Sequence, residues 1–305
     1  MKRVVSISIG SRKRDHKVQV ELLGQRIQIE RVGTDGDIKK AAQLYAQLDD
    51  QVDAFGVGGT DLGLRVSGRY YAFPQMQRMV AGVKKTPVVD GGGLKHTLER
   101  QVMQFVERKL GDQISPKTCF ATSAVDRYGM GESAIQAGYE TIFGDLMFGL
   151  GLPIPLRTLR SVRILARLMM PIITRLPFEW IYPTGEKQSQ VTPKWEKYYR
   201  WASVIAGDFH YVKRHMPIRM DGKIVVTNTT TAADVTFLCE RGITYLVTTT
   251  PRFEGRSFGT NVMEAVLVAL AGKGRPLTED EITEMLVQLD YTPTIKDLRR
   301  PSDDA

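Results

Sequence analysis

The segment TPVVDGGGLK, residues 86–95, joins a short apolar run to an Asp-Gly-Gly-Gly turn and then to the start of a helix. Short apolar strands that alternate with helices are typical of a parallel sheet covered by helices on both faces. The same pattern recurs on either side of this segment. The predicted strands of the N-terminal part are 4–9, 26–32, 53–57, 86–89 and 118–122, and the predicted helices are 38–48 and 94–110.

The alternation returns near the carboxyl terminus, with predicted strands 202–206, 223–226 and 243–247 and predicted helices 232–241 and 262–271. We expect Asn261 to cap the last of these helices, with Glu264 three residues later and Gly272 just past the helix end. Thr278 and Glu281 repeat the same capping pattern for a final short helix.

Between these two parts, the residues after position 125 are rich in Gly and Pro and give no strand pattern. The sequence therefore predicts an α/β fold with Rossmann-like parallel sheets in two parts and a helical insertion. The expected regions are an N-terminal Rossmann-like α/β region (1–125), a basic helical insertion (126–200), a C-terminal Rossmann-like α/β region (201–292) and a polar tail (293–305).

The composition excludes several classes of protein. The 305 residues are 42% apolar and 25% charged, which is typical of a globular protein. The two cysteines, Cys119 and Cys239, are too far apart in sequence for a paired zinc motif, and the four histidines do not cluster, so we expect no metal. No stretch approaches the roughly 20 apolar residues of a membrane span, and no signal peptide is recognisable. We therefore expect a cytoplasmic protein.

The net charge of +8 is concentrated in residues 151–220, which hold 12 Lys and Arg but 4 Asp and Glu. Arg157, Arg160, Arg163 and Arg167 follow helical spacing, which predicts one basic face on a helix over 156–170, opened by Pro155 and kinked or ended before Pro171. Three interpretations of this face are open. It is a solvated surface, it contacts an anionic surface or a second copy of the chain, or it binds an anionic ligand. The helical spacing disfavours nucleic acid, whose binding grooves interleave basic and aromatic residues.

Ligands of open parallel sheets bind beyond the carboxyl ends of the strands, where loops converge and helix N-termini offer free N–H groups. Glycine-rich turns follow two predicted strands, and they are candidates for an anion or cofactor cradle because a backbone without Cβ atoms lets a ligand approach. The expected cofactor-binding residues are Gly58, Gly59, Asp90, Gly91, Gly92 and Gly93. Lys95, in the helix that follows, is a candidate catalytic residue.

Two threonine-rich strand ends concentrate hydroxyl groups in the C-terminal part. Together with nearby arginines they suit a small hydroxylated ligand with a carboxylate or phosphate. The expected substrate-binding residues are Thr227, Asn228, Thr229, Thr230, Thr248, Thr249, Arg252, Arg256 and Asn261. We expect Asp208 and His210, two residues apart at a strand end, to face the same side and to act as an acid–base pair. Asp126 and Glu132 flank another candidate ligand loop, 127–131.

The segments 86–95, 227–231, 248–251 and 255–261 resemble a bacterial family labelled quinate 5-dehydrogenase, and the resemblance runs from the first strand to about residue 272. It implies oxidation of a ring hydroxyl by NAD or NADP, with a general base that takes the hydroxyl proton. Well-understood quinate and shikimate dehydrogenases carry a glycine fingerprint, an Asn-Thr-Asp segment and a catalytic lysine–aspartate pair. This sequence lacks the fingerprint and has Thr230 after Asn228-Thr229.

The leading hypothesis is an NAD- or NADP-dependent oxidoreductase acting on a quinate- or shikimate-like hydroxylated carboxylic acid. The alternatives are a transferase or a sugar-phosphate- or nucleotide-binding enzyme without nicotinamide, and a non-catalytic ligand-binding protein whose basic helix contacts a partner or a membrane. Homo-oligomers are compatible with each of them. All three require that the triple-glycine turn and the threonine-rich strand ends face one shared cleft.

Overall fold

The computed structural model describes residues 1–177, 191–250, 252–253, 256–257 and 259–299, and it describes no side chain between 251 and 258. The strands of this part are β1 (Lys2–Ser8), β2 (His16–Leu22), β3 (Gln25–Gly33), β4 (Ala54–Gly58), β5 (Gly63–Val66), β6 (Arg69–Ala72), β7 (Val88–Val89), β8 (Thr118–Ala121), β9 (Glu140–Phe143), β10 (Val204–Ala206), β11 (Ile224–Thr227), β12 (Tyr245–Thr248), β13 (Arg252–Phe253), β14 (Arg256–Ser257) and β15 (Thr294–Asp297).

The α-helices of the described residues surround these strands. They are α1 (Ile38–Leu48), α2 (Pro74–Val80), α3 (Gly92–Leu110), α4 (Tyr128–Gln136), α5 (Asp145–Leu150), α6 (Leu159–Ile173), α7 (Glu196–Trp201), α8 (Phe209–Arg214), α9 (Ala232–Glu240), α10 (Thr260–Ala271) and α11 (Glu279–Gln288). At α1, Asp37 is the N-cap and accepts a hydrogen bond from the Lys40 N–H. At α11, the expected capping box forms, with Thr278 and Glu281 bonded reciprocally.

The first sheet has the strand order β2-β3-β1-β4-β7. β1 pairs in parallel with β3 and β4, and β4 pairs in parallel with β7, whereas β2 forms an antiparallel hairpin with β3. Successive residues of β1 point to opposite faces, so Val4 packs with α10 and α11 while Val5 and Ile7 pack with α1 and α2. Apolar side chains on both faces explain why the strand reads as a continuous apolar run.

The second sheet has the strand order β15-β12-β11-β10-β8-β9, in which only β15 is antiparallel to its neighbour. The α/β class with Rossmann-like parallel strands in two parts is therefore confirmed. The division between the parts differs from the expected one. β8 belongs to the second sheet rather than to the N-terminal region 1–125, and the expected helical insertion 126–200 contributes strand β9. Both strands are four residues long, too short to show which sheet they join.

The 19-residue helix α3 joins the two halves of the molecule. Its first turns place Leu94 and Leu98 in the core of the first sheet, and its later turns place Val102 and Met103 in the core of the second sheet. Because one rigid helix is packed into both cores, it fixes the position of one sheet relative to the other.

Helix α10 packs on the first sheet although it follows the parallel strands of the second sheet in the chain. It contacts β1 and β4, and its residues 262 to 270 are all buried. The expected cap at its start is wrong: Gly259 occupies the N-cap position, and Asn261 instead donates a hydrogen bond from Nδ2 to Ser6 Oγ, at 2.7 Å. Asn261 therefore bonds to a residue of β1 instead of to the first turn of its own helix. At the other end, Gly272 ends the helix with φ +62° as expected.

The basic helix predicted over 156–170 is α6, with slightly different ends. Thr158, rather than Pro155, stands at its start, where the Thr158 hydroxyl accepts a hydrogen bond from the Ser161 N–H. The helix also continues through Pro171 to Ile173. Pro171 lies in the last turn, so the helix loses one hydrogen bond there without breaking. No helix of the described residues is long and apolar enough to cross a membrane.

Candidate functional site

The carboxyl ends of the parallel strands carry a cluster of buried charges centred on Arg127, which follows β8. Its side chain is 4% exposed, and its guanidinium donates to Glu99 Oε1 at 2.6 Å and to Asp208 Oδ2 at 2.5 Å. Its Nε also lies 3.3 Å from Asp126 Oδ2. Three carboxylates around one guanidinium offset the large cost of burying that positive charge.

The cluster extends to the ends of β10 and β11 through one hydrogen bond. Asn228 donates from Nδ2 to the same Asp208 Oδ2, at 3.2 Å. Asp208 also accepts from the His210 N–H, which makes it the N-cap of α8. The expected acid–base pair on a strand end is therefore wrong in its geometry: Asp208 begins a helix, and the His210 side chain is exposed beyond it. The Asp208 carboxylate binds the His210 backbone rather than its imidazole.

On the side of the first sheet, the cluster continues through Lys95 in the first turn of α3. Lys95 Nζ donates to Asp61 Oδ1 at 2.6 Å, and the two side chains are 16% and 13% exposed. Burial lowers the pKa of Lys95, but Asp61 and Asp126 raise it by more, so its pKa lies above the ordinary value and the amine stays charged. The effect of Asp126 on Lys95 shows that charges from both halves act on each other.

The carboxyl groups of the cluster differ in their readiness to ionise. Burial raises the pKa of Asp126 and of Asp90, and the nearby Asp61 carboxylate raises the pKa of Asp90 further. At Asp208, burial also raises the pKa, but the Arg127 guanidinium lowers it by more, and the net pKa is below the ordinary value. The site thus holds an ionised acceptor, Asp208, close to Asp126, a carboxyl group that retains a proton more readily.

The triple-glycine turn follows β7 at the expected place but is filled by protein groups. Asp90 Oδ1 accepts from the Gly92 N–H at 2.9 Å, and Glu264 Oε2 accepts from the Leu94 N–H at 3.1 Å. A Cβ atom on Gly91, whose φ is +90°, would lie 2.7 Å from the Asn261 nitrogen. The glycines therefore admit helix α10 rather than an open ligand space, which corrects the expected cradle of Asp90, Gly91, Gly92 and Gly93.

Burial raises the pKa of Glu264 to about 7, and the neighbouring Asp90 contributes to that shift. The side chain is buried and its carboxylate takes the place that an anion would occupy at the N-terminus of α3. The sequence alone did not indicate this role, since Glu264 and Leu94 are 170 positions apart.

The other glycine turn, Gly58-Gly59, also packs against the protein. A Cβ on Gly58 would lie 2.8 Å from Ser8 Cβ, and one on Gly59, at φ +76°, would lie 2.9 Å from the Ile9 side chain. These two glycines thus allow the loop after β4 to pass close to the end of β1. The loop also places Asp61 beside Lys95, at 2.6 Å.

The threonine-rich strand ends are mostly buried and bonded to one another. Thr229 donates to Thr250 Oγ1 at 2.8 Å, and Thr227 donates to Asn228 Oδ1 at 3.0 Å, while Thr248 and Thr249 are buried. The Thr230 hydroxyl is an exception, because this residue is 8% exposed and its Oγ1 has no hydrogen-bond partner among the described residues. An unpartnered buried hydroxyl costs free energy unless a ligand or water satisfies it.

The remaining predicted residues divide into two groups. Asn261 lies away from the threonine-rich ends and contacts Ser6. Arg252 and Arg256 lie in the hairpin β13–β14, and their side chains are outside the described residues. Among the residues that the structure does describe, no group of three or more His, Cys, Asp or Glu side chains is arranged to hold a metal ion.

The structure thus links the two expected patches through charged neighbours. Asp90, Lys95 and Asp61 lie on one side, Arg127 in the middle, and Asp208 and Asn228 on the other. The central residue, Arg127, was noticed in the sequence only as part of the loop 127–131. The flanking acidic residues Asp126 and Glu132 were the signals of a charged site there, and of these Asp126 contacts Arg127 whereas Glu132 pairs with Arg100.

Comparison with solved structures gives low similarities over most of the chain. A crystal structure from Mycobacterium smegmatis in complex with beta-D-fucofuranose is 10% identical, with a TM-score of 0.37 over 98% of this chain and 92% of that chain. The substrate-binding protein of a sugar ABC transport system from Bordetella parapertussis is 12% identical, with a TM-score of 0.41 over 98% and 90%. An NAD-dependent malic enzyme from Thermotoga maritima is 10% identical, with a TM-score of 0.40 over 93% and 75%. Similarity of this size carries no functional information.

Comparison with protein families divides the chain at the triple-glycine turn. Residues 3–90 match the domain of unknown function DUF8753, and residues 93–298 match the domain of unknown function DUF8754. The border between the two matches coincides with the end of β7 and the start of α3, where the first sheet ends. No curated protein matches the sequence. Because the match to DUF8754 covers two thirds of this chain, the chain belongs to the DUF8754 family.

Proposed function

We propose that the protein binds a small hydroxylated ligand at the junction of its two sheets, beside the Arg127 cluster. The observation that carries this proposal is the chain of hydrogen bonds from Asn228 through Asp208 to Arg127, which joins three strand ends in a largely buried place. Carboxylate, amide and guanidinium groups held in fixed positions are suited to bind the hydroxyl groups of a polyol or a sugar, since each hydroxyl both donates and accepts.

Partial exposure of the acceptors supports the same conclusion. The side chains of Asp126 and Asp208 are 22% and 17% exposed, so each is held by Arg127 and still reaches solvent. The buried hydroxyl of Thr230, two positions after Asn228, adds to the same strand end a group that no described residue partners. A ligand that supplies a hydroxyl there removes an unsatisfied polar atom on binding.

The charge of the cluster favours a neutral ligand over an anionic one. Among the described residues, Lys95 and Arg127 are its two cations. Its carboxyl groups are those of Asp61, Asp90, Glu99, Asp126, Asp208 and Glu264. Lys95 and Arg127 already bind carboxyl groups of the cluster, so an anionic ligand has no described cation left to bind it. We propose a neutral polyol or sugar.

Calorimetric titration with a panel of neutral sugars and cyclic polyols, and with quinate and shikimate, tests this proposal. We expect binding of at least one neutral compound and a 10- to 100-fold loss of affinity (about 1.5–3 kcal/mol) in Asp208→Asn, because a hydrogen bond to a charged group is lost. Asparagine is also a good N-cap, so the start of α8 is retained. Asp221→Asn, at an exposed aspartate paired with Arg219, is the matched control.

Thr230→Val separates binding from folding. Valine removes a hydroxyl that has no described partner, so the free protein keeps or gains stability, whereas affinity for the ligand falls. If no neutral compound binds, or if Asp208→Asn and Asp221→Asn bind with the same affinity as the unsubstituted protein, the proposal is wrong.

The buried Lys95–Asp61 pair favours a second candidate function, oxidation of a ring hydroxyl of a quinate-like acid, which the sequence resemblance implies. A lysine held by an aspartate can orient a hydroxyl group by hydrogen bonding. The residues expected to hold the dinucleotide do not fit it, because Asp90 and Glu264 already occupy the N–H groups of the turn. We therefore assign no residue to NAD or NADP. Formation of reduced nicotinamide from quinate or shikimate with NAD or NADP would support this second candidate, and absence of turnover would remove it.

A further inference from the structure

Helix α6 presents an unusual surface to solvent. Of the thirteen exposed large hydrophobic residues in the described part of the chain, seven lie between positions 150 and 176. Three of them, Ile164, Leu168 and Ile172, are spaced by four residues on α6 and are 48%, 67% and 60% exposed. Residues with this spacing lie above one another on a helix, so they form one aliphatic stripe.

Arginines form a second stripe beside the first. Arg160, Arg163 and Arg167 are spaced by three and four residues, and all three are exposed. The opposite side of the helix carries Val162 and Ala166, which are buried in the core of the first sheet. Because the protein already covers that inner side, the aliphatic and arginine stripes both face outward.

The arginine stripe has no anionic partner within the described residues. Arg160, Arg163 and Arg167 form no ion pair there, although the described chain contains many other exposed arginine–carboxylate pairs. Arg163 and Arg167 also line a small hollow together with Arg69 of the β5–β6 hairpin and the ring of Tyr71. Guanidinium groups from two elements therefore converge on one place without a carboxylate, where an external anion would reduce their mutual repulsion.

We propose that this surface of α6 docks on a membrane that contains anionic phospholipids. The arginine stripe would contact the phosphate groups, and the aliphatic stripe would enter the boundary between headgroups and acyl chains. A helix of 15 residues is about 22 Å long, which is enough to lie along a membrane surface. Charge complementarity selects this partner, because a row of cations that pair with no described carboxylate lies beside a row of aliphatic side chains, which matches the layered chemistry of an anionic bilayer.

Flotation of the full-length protein with vesicles tests the proposal. We expect binding to vesicles of phosphatidylcholine with about 30% phosphatidylserine, weak or no binding to pure phosphatidylcholine, and release at high salt because ions screen the attraction. The triple variant Arg160→Glu, Arg163→Glu, Arg167→Glu should lower the partition coefficient by at least about 100-fold. Leu168→Ser should lower it by about tenfold at unchanged charge.

A matched control changes the same charge elsewhere. Lys39, Arg108 and Lys109 are exposed on α1 and α3, and reversing all three to Glu should leave most of the vesicle binding intact. The proposal is overturned if the unsubstituted protein fails to bind anionic vesicles at low salt, or if both triple variants lose binding equally. It is also overturned if light scattering shows a dimer that Leu168→Ser dissociates, because a second copy of the chain would then cover the stripe.

Discussion

The same side chain serves opposite purposes in two regions of this molecule. Arg127 is 4% exposed and is surrounded by three carboxylates at the junction of the sheets. Arg163 is exposed on α6 and has no carboxylate partner among the described residues. A buried arginine is held by its partners and contributes to folding, whereas an unpaired exposed one is available for another molecule. Position in the tertiary structure, and not residue type, separates the two roles.

One substitution made at both arginines tests this contrast most strongly. Arg127→Met should lower the free energy of unfolding by about 3–5 kcal/mol, because it leaves Glu99 and Asp208 buried without their cation. Arg163→Met should change it by less than about 0.5 kcal/mol. Urea unfolding followed by circular dichroism measures both. Similar values for the two variants would mean that the Arg127 cluster contributes little to folding.

Two glycines with positive φ extend the comparison to the backbone. Gly91, at the junction, has φ +90°, and a Cβ atom added to it would lie 2.7 Å from the backbone nitrogen of Asn261 in α10. Gly24, in the β2–β3 turn, has φ +71°, and an added Cβ would meet nothing within 4 Å. We expect Gly91→Ala to cost about 3 kcal/mol, from backbone strain and overpacking together, and Gly24→Ala about 1 kcal/mol, from strain alone. Thermal and urea unfolding measure the difference. Equal costs would show that α10 moves away easily.

The pH dependence of stability at the junction of the sheets gives an expected effect slightly below that of Gly91→Ala. The folded-state pKa of Glu264 is raised from 4.5 to about 7, so its contribution to stability is present below pH 4.5 and is lost as the pH rises through 7. The free energy of unfolding of Glu264→Gln, minus that of the unsubstituted protein, should therefore rise by about 2–3 kcal/mol from about pH 5 to about pH 8. Urea unfolding at the two pH values measures this change.

The exposed Glu284 on α11 is the control for that experiment. Its side chain is exposed and makes no buried contact with the described residues, so Glu284→Gln should change stability by only a small amount at each pH. A pH-independent effect of Glu264→Gln would show that Glu264 ionises in the folded protein as readily as in the unfolded chain.

Local patterns predicted the elements of the fold more accurately than their assembly. Helix α1 has the predicted limits 38–48, and the strands β1, β3, β4, β7, β10, β11 and β12 lie within one to three residues of the predicted runs. Strand β2 was missed although Val18, Val20 and Leu22 alternate with polar residues, which is the pattern of a half-buried edge strand. Strand β9 was missed although it is as long as β11 and β12, because it lies in the Gly- and Pro-rich segment after residue 125 that was predicted to be helical.

The sequence predicted several residues that lie beyond the carboxyl ends of the strands, but not the partners that they contact. The strand ends supplied Asp90, Lys95, Asp208 and Asn228, as expected for parallel sheets. Arg127 was noted only as part of the loop 127–131, and Glu264 only as a capping residue of α10, which it is not. Their roles depend on burial and on partners from other elements, which no local pattern records.

The amino-acid sequence by itself determined the alternation of strands and helices, the capping box at Thr278 and the basic face of α6. These features depend on residues within one or two helical turns of one another, so spacing is sufficient to reveal them. Only the tertiary structure decided that Glu264 fills the N-terminus of α3 and that Arg127 gathers carboxylates from three elements. Packing brings these distant segments together and excludes water from them. The energy of a buried charge depends on its distance to other charges and on its exposure to water, and neither can be read from local sequence.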